Sequence, residues 1–148
     1  MATDDLQQLK VYQLAMRVGE GVWAMTAGWE WLVKQTVALP WIRAADSIAT
    51  NISKGYGHYA SNENVRFFYH ALGSIRETQT WLEKARARRL IIEPAANELA
   101  LKLETLRRHL DLYINSLDLD QTSTVREGTT DLLPLEEFFH PRPPAWNN

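Results

Sequence analysis

The sequence predicts an all-α protein whose helices form an antiparallel up-down four-helix bundle. Apolar side chains recur at steps of three or four through most of the chain, as on the buried face of a helix. Gly28, the turn at Gly55 and Gly57, and Pro94 divide this pattern into four segments. Because the connections are short, consecutive helices are expected to lie antiparallel, side by side.

The charge is unevenly distributed along the 148 residues. Residues 1–117, assigned to the bundle, carry 14 Lys and Arg against 12 Asp and Glu. Residues 118–148, an acidic and proline-rich C-terminal tail, carry 2 against 6. A dedicated nucleic-acid binder is usually far more basic, so only local clusters would attract phosphate. The tail is either loosely ordered or docked through the apolar side chains of residues 132–139 and Trp146.

Composition excludes several classes of site. The chain has no cysteine, which rules out disulfides, thiolate metal sites and a cysteine nucleophile. Its first residues are acidic and polar, unlike a secretory signal. No apolar run approaches the roughly 18 residues of a membrane span. We therefore expect a cytoplasmic protein that does not contact the membrane.

Helix one is predicted from Leu6 to Ala27. Its core stripe is Val11, Leu14, Val18, Val22 and Met25, with Ala15 and Gly19 beside it. Four tryptophans surround the turn that follows: Trp23, Trp29, Trp31 and Trp41. They either cover the end of the core or offer bases a stacking platform. The first interpretation is favoured, because Lys and Arg do not alternate with them.

Helix two is predicted from Glu30 to Lys54, with a kink or a short break near Val37 to Leu39 caused by Pro40. One stripe is apolar, namely Trp41, Ala45, Ile48 and Ile52, and the stripe beside it is small or polar, namely Ala44, Ser47 and Asn51. Gly55 and Gly57 are expected to end the helix by adopting left-handed backbone angles. This turn lacks the strand and the Lys-Ser/Thr pair of a phosphate-binding loop.

Helix three is predicted from Asn62 to Ile91, with Ser61 as its N-cap. The core stripe is Phe68, Ala71, Ile75, Thr78, Leu82 and Ala85. Gly73 costs a helix interior about 1 kcal/mol, so we expect another helix to approach it closely. Together with Ser74 it is expected to face helix two, where Ser47, Asn51 and Glu77 would form a buried polar contact.

Helix four is predicted to begin around Pro94 and to reach Leu117. Its core stripe is Leu99, Leu103, Leu106, Leu110, Tyr113 and Leu117. Two ion pairs four residues apart are expected, Glu98 with Lys102 and Glu104 with Arg108. Leu101 and Leu112 lie off the stripe, which indicates that this helix also touches a second chain.

A resemblance to a known family rests first on residues 43–57, RAADSIATNISKGYG. The matching residues are Arg43, Ala44, Ala45, Ser47, Ile48, Ala49, Asn51, Ile52, Gly55, Tyr56 and Gly57. A second block is Phe67, Phe68, Ala71, Gly73, Ser74, Arg76 and Glu77, and a weaker one is Leu9, Lys10, Val11, Tyr12 and Ala15. The chain resembles the four-helix-bundle proteins encoded in intervening sequences of 23S rRNA genes. The accessory variability determinants of diversity-generating retroelements share that fold.

The resemblance implies an assembly and a set of partners. It implies a ring-shaped homopentamer, in which any modest basic patch is repeated five times. It also implies association with RNA or DNA, and for a retroelement accessory protein a reverse transcriptase as partner. The basic residues expected to contact nucleic acid are Arg43, Lys54, Arg76, Lys84, Arg86, Arg88, Arg89, Arg107 and Arg108. Cations at a helix C-terminus also complement the helix dipole, so charge alone does not decide.

No catalytic constellation is visible, so we expect a non-enzymatic protein without a metal or cofactor. A di-iron bundle needs paired Glu-x-x-His motifs, and the chain offers only Glu137 with His140, in the tail. The remaining histidines, His58, His70 and His109, are scattered. The competing hypothesis is a protein-interaction scaffold without nucleic-acid binding, docking through helix four and the tail.

Overall fold

The computed structural model describes residues 2–57 and 64–119. Every regular element in those ranges is helical, and no strand occurs in them. The α-helices are α1 (Ala2–Gln8), α2 (Lys10–Thr26), α3 (Trp31–Val33), α4 (Leu39–Gly57), α5 (Val65–Ala87) and α6 (Glu93–Leu119). A π-helical segment, Lys34–Ala38, joins α3 to α4. The predicted all-α class is confirmed.

The four long helices pack around one apolar core. Each has two main neighbours, because α2 packs on α4, α4 on α5, α5 on α6, and α6 on α2. The closest packing is between α4 and α5. The largest fully buried side chains are Trp41, Leu14, Ile48, Ile52, Ile75, Leu82, Leu99, Leu103, Leu106, Leu110 and Val18. The predicted core stripes of all four helices are thus confirmed, with Met25, Tyr113 and Leu117 only partly buried.

The first helix is interrupted where the sequence predicted a continuous element. Leu9 has extended backbone angles, φ −71° and ψ 118°, so α1 and α2 are separate helices. Leu9 is partly buried and packs against the core. The spacing of apolar residues predicted a helix that continues through Leu9. Instead the backbone turns at this residue, and its side chain packs inward.

Pro40 acts on the turn before it, as predicted, but without breaking the helix. A proline has no N–H, so residue 36 loses the donor it would use in an α-helix. The backbone widens into a π-helical turn, and the N–H of Leu39 donates to the carbonyl of Lys34. Val37 and Ala38 remain buried in this turn.

The prediction that Gly55 and Gly57 end the helix with left-handed angles is wrong. Helix α4 runs through to Gly57, and neither glycine has a positive φ. A Cβ on Gly55 would lie 2.8 Å from Cζ of Phe68, a buried side chain of α5. Gly55 is therefore a packing residue that lets an aromatic ring lie against the α4 backbone.

Both predicted ends of the third helix shift inward. Helix α5 begins at Val65, preceded by Asn64, and ends at Ala87 rather than at Ile91. The predicted N-cap Ser61 lies outside the described residues. Helix α6 fits its prediction better, since Pro94 lies in its first turn and the helix continues to Leu119. The tail assigned to residues 118–148 lies outside the described residues from 120 onward.

The tryptophan cluster is divided between core and surface. Trp41 is fully buried and stacks on Trp29, with the ring centroids 6.0 Å apart. Trp23 and Trp31 are exposed, so only half of the cluster covers the core. Across residues 2–57 and 64–119, the helices are all too short or too polar to span a bilayer.

Candidate nucleic-acid interface

A polar contact fixes α4 against α5, but not the one predicted. The hydroxyl of Ser47 donates to Oγ of Ser74 across the helix pair, at 2.7 Å. Ser74 in turn donates to the carbonyl of His70, at 3.1 Å. The chain of donors holds the two helices in register where both carry small side chains.

Two members of the predicted polar contact lie elsewhere. The amide of Asn51 donates to the carbonyl of Ser47 on its own helix, at 2.9 Å. Glu77 and Gly73 are exposed, and no residue of the described ranges lies within 4 Å of the position a Cβ on Gly73 would take. The predicted Ser47–Asn51–Glu77 contact is therefore wrong, because Gly73 and Glu77 face away from α4.

Three of the predicted phosphate-binding cations are held by carboxylates. Arg86 pairs with Glu83 at 3.0 Å and with Glu93 at 3.5 Å, and it also donates to Asn97. Arg107 and Arg108 both contact Glu104, and Arg107 also pairs with Asp111 at 2.8 Å. Each of these arginines is therefore already paired with at least one carboxylate of the protein itself.

The cluster on α6 is electrically balanced. Its two arginines, Arg107 and Arg108, face the two carboxylates of Glu104 and Asp111. The hydrogen bond from Arg107, followed by the bond and charge of Arg108, lowers the pKa of Glu104 to about 2. The carboxylate is therefore ionised at neutral pH, and this surface offers a phosphate little net attraction. The predicted pair of Glu98 with Lys102 is also present, at 3.4 Å.

Six predicted cations are exposed, and none of them pairs with a carboxylate of the described residues. Arg43 and Lys54 lie on α4, and Arg76 lies midway along α5. The other three gather at the C-terminal end of α5: Lys84, Arg88 and Arg89. Lys84 lies over the ring of Trp81, with Nζ 5.7 Å from the centroid. We call these three residues the α5-end cluster.

The backbone under the α5-end cluster is a Schellman motif. The N–H of Leu90 donates to the carbonyl of Ala85 at 2.9 Å, and that of Arg89 donates to Arg86 at 3.0 Å. Arg89 occupies the left-handed position, with φ 55°. Among the non-glycine residues that the structure describes, it is the one with a positive φ. Glycine is the usual residue here, since a side chain costs about 1–2 kcal/mol in this conformation.

The strain at Arg89 identifies a candidate functional position. Three cations at a helix C-terminus also stabilise the helix dipole, by about 0.3–1 kcal/mol each. That effect accounts for positive charge near the helix end, but not for an arginine where glycine fits better. Backbone strain of this kind is concentrated at functional sites. The sequence showed the charge, but not the strain, because the helix end was predicted at the wrong residue.

The polar groups of the described residues serve mainly as helix contacts. No group of three or more His, Cys, Asp and Glu side chains in that part of the chain is placed to hold a metal ion. His109 is half-buried on α6, and burial lowers the pKa of its imidazole. The buried hydroxyls of Thr26 and Thr78 donate to carbonyls of their own helices, at 2.9 and 2.7 Å.

Comparison with known proteins assigns the chain to a family. No curated protein matches it. The family model of the 23S rRNA-intervening sequence protein matches residues 7–111. This range includes α2, α4, α5 and most of α6, so it covers the α5-end cluster and the apolar core except Ile114. The match extends over well more than half of the sequence, and the chain therefore belongs to the 23S rRNA-intervening sequence protein family.

Proposed function

We propose that this protein is a non-enzymatic, oligomeric helical bundle that associates with nucleic acid through the α5-end cluster. The observation that supports this best is Arg89, a cation held in a strained backbone position beside Arg88 and Lys84. The family description names 23S rRNA, so RNA is the first nucleic acid to test. Contacts of this type are made to phosphates, and they position a bound strand without reading its sequence.

Assembly of several copies would give the small α5-end cluster enough affinity for nucleic acid. We propose that the helices run antiparallel and that five copies form a ring, as the resemblance implies. Five copies of the α5-end cluster bring fifteen exposed cations to one particle. Each phosphate contact releases counterions, so the contacts add up and the affinity becomes strongly salt-dependent. The short connection between α5 and α6, residues 88–92, supports the antiparallel arrangement.

The proposal includes a cellular role. In the cytoplasm the protein would act as an rRNA intervening-sequence protein or as an accessory factor to a reverse transcriptase in a diversity-generating retroelement. The motif at residues 43–57 supports both contexts equally. In either role the protein presents and positions RNA, without a cofactor and without catalysing a reaction.

A second candidate function is a docking scaffold for another protein. It is favoured by Leu101 and Leu112, which are 49% and 36% exposed on α6. They are 11 residues apart, about three helical turns, so they share one face. The balanced ion pairs between Glu104 and its two arginines lie near this face, which would suit a protein partner better than phosphate.

The test compares RNA binding by three proteins, using fluorescence anisotropy of a labelled RNA fragment at about 50 and 200 mM salt. The first variant is Arg88→Gln with Arg89→Gly, which removes two exposed charges and relieves the strain. The control is Lys34→Gln, an exposed cation on the π-helical segment. We expect the wild type to bind at low salt, and the control to match it.

The cluster variant is expected to bind at least tenfold more weakly, with a salt slope about two smaller for each bound copy. Equal binding by all three proteins would show that the α5-end cluster does not contact RNA. A wild type that ignores RNA at both salts would contradict the proposal and favour the scaffold.

A further inference from the structure

A groove between α2 and α4 is left unfilled by the side chains that line it. It has a volume of about 560 Å³, and its lining includes small residues of both helices: Ala15 and Gly19 on α2, Ala49 and Ser53 on α4. Tyr12 and Met16 of α2 also line it, and Met16 is exposed. Neighbouring helices usually fill such a seam with large apolar side chains, whereas here it stays open to solvent.

Two carboxylates, Glu20 and Asp46, line the groove, and Lys54 lines it eight residues farther along α4, about 12 Å from Asp46. A Cβ on Gly19 would lie 2.8 Å from Oδ1 of Asp46, so the Asp46 carboxylate rests directly on the α2 backbone. Partial burial, and next the charge of nearby Glu20, raise the pKa of Asp46. A cation placed between Glu20 and Asp46 would offset the repulsion between the two carboxylates.

The opposite side of the bundle has complementary features. Because the helices follow one another around the core as α2, α4, α5 and α6, the α5/α6 surface lies across from the α2/α4 groove. It has a depression of about 190 Å³ lined by Leu72, Gly73, Arg76, Gln79, Arg107 and Asp111. Arg107 and Asp111 pair with each other, and Arg76 is exposed with no ion pair among the described residues.

Gly73 gives this surface a second distinctive feature. A glycine in a helix interior costs about 1 kcal/mol, and no described residue lies within 4 Å of the position that a Cβ on Gly73 would take. Tyr69, Gly73 and Arg76 follow at steps of four and three, so they share the outer face of α5. Tyr69 is 54% exposed. The missing side chain at Gly73 allows another molecule to approach the α5 backbone between an exposed ring and an exposed cation.

We propose that the α5/α6 surface of one copy docks into the α2/α4 groove of a second copy, with Arg76 lying against Asp46 and Glu20. This inference rests on the self-assembly in the proposed function, and it names the two surfaces that meet. The occupant is a second copy because one chain carries both halves of the match: the neighbouring carboxylates of Glu20 and Asp46 in the groove, and an exposed cation beside an open glycine. Two different surfaces meet, so the contact is head-to-tail and repeats into a closed ring or a filament.

Charge reversal tests the docking. The first variant is Arg76→Glu, the second combines Glu20→Lys with Asp46→Lys, and the third carries all three changes. Lys34→Glu is the control, because it reverses an exposed charge away from both surfaces. Molar mass is measured by light scattering after gel filtration of the full chain, and circular dichroism checks that each variant remains helical.

The wild type and the control are expected to elute as the same oligomer. Each single-surface variant should fall by at least half in molar mass, and the triple variant should regain the wild-type mass, because its reversed charges attract again. Rescue cannot come from a folding defect. Masses unchanged by the single-surface variants, or no rescue in the triple variant, would overturn the docking and leave self-assembly intact. A monomeric wild type would overturn both.

Discussion

The inner and outer faces of α5 differ in the contacts that their residues make. On the inner face the contacts are complete, since Ser74 bonds to Ser47 across the seam and Phe68 fills the space left by Gly55. On the outer face and at the C-terminal end, a Cβ on Gly73 would meet no described residue within 4 Å, Arg76 forms no ion pair with a described carboxylate, and Arg89 is strained. The inner face is explained by the fold alone. The outer face and the C-terminal end of α5 are where the proposed contacts with other molecules lie.

The largest expected effect lies on the inner face, at Gly55. Gly55→Ala places a methyl group against the buried ring of Phe68, which cannot move away without disturbing the core. Overpacking of this kind costs about 1–3 kcal/mol, only partly offset by the better helix propensity of alanine. We expect a lower free energy of unfolding, measured by urea denaturation. A variant as stable as the wild type would show that the seam is loosely packed.

The matched change on the outer face should have the opposite sign. Gly73→Ala adds a methyl group to open space, so it should raise the free energy of unfolding by about 0.5–1 kcal/mol. It is measured in the Arg76→Glu background, which removes the proposed contact between copies. Destabilisation there would show that Gly73 serves the single chain, and the contrast between the two faces would be lost.

Arg89 should behave like a residue kept at the expense of stability. Arg89→Gly removes the strain of a positive φ, and we expect the free energy of unfolding to rise by about 1 kcal/mol. Arg88→Gly is the control, since Arg88 has a negative φ of −87° and should gain nothing. If both variants lost stability equally, the arginine at the left-handed position would have a structural role.

The hydroxyl bridge of the inner face is expected to contribute less than the packing at Gly55. Ser47→Ala removes the hydrogen bond to Ser74, which is worth about 1 kcal/mol, and the gain in helix propensity offsets part of this. Thr50→Ala is the control, because its hydroxyl is exposed and donates only to the carbonyl of Ser47. Equal effects of the two changes on urea denaturation would argue that the bridge adds nothing.

The smallest effect concerns the balanced ion pairs on α6. The pKa of Glu104 is about 2 in the folded protein, below its ordinary value of 4.5, so its ionised form stabilises the fold. This contribution is complete above pH 4.5 and is lost as the pH falls toward 2. Glu104→Gln should therefore be less stable than the wild type at pH 6 and approach it at pH 2.5. A difference that does not change with pH would contradict the pairing.

The core of this fold could be read from the sequence because it obeys one simple rule. Leu99, Leu103, Leu106 and Leu110 recur at the helical period, and all are buried. Pro94 marked the start of α6 for an equally local reason. Such features depend on neighbours within one helix, which the sequence displays directly.

The remaining features depend on groups far apart in the chain. Gly55 looked like a helix end until Phe68 was found lying against it. Glu77 was expected at the seam, but the relative rotation of α4 and α5 turns it outward. At the candidate site the charges and the Glu104–Arg108 pair were predictable within one helix, but the contacts of Arg86 with Glu93 and Asn97 depend on how α5 and α6 lie together.

The most direct test of the account is the molar mass of the wild-type protein, measured by light scattering alone and with RNA at about 50 and 200 mM salt. We predict an oligomer that gains the mass of RNA at the lower salt and loses it at the higher salt. An oligomer with the same mass in all four samples would contradict nucleic-acid association and favour the docking scaffold. A monomer that ignores RNA would contradict the account as a whole.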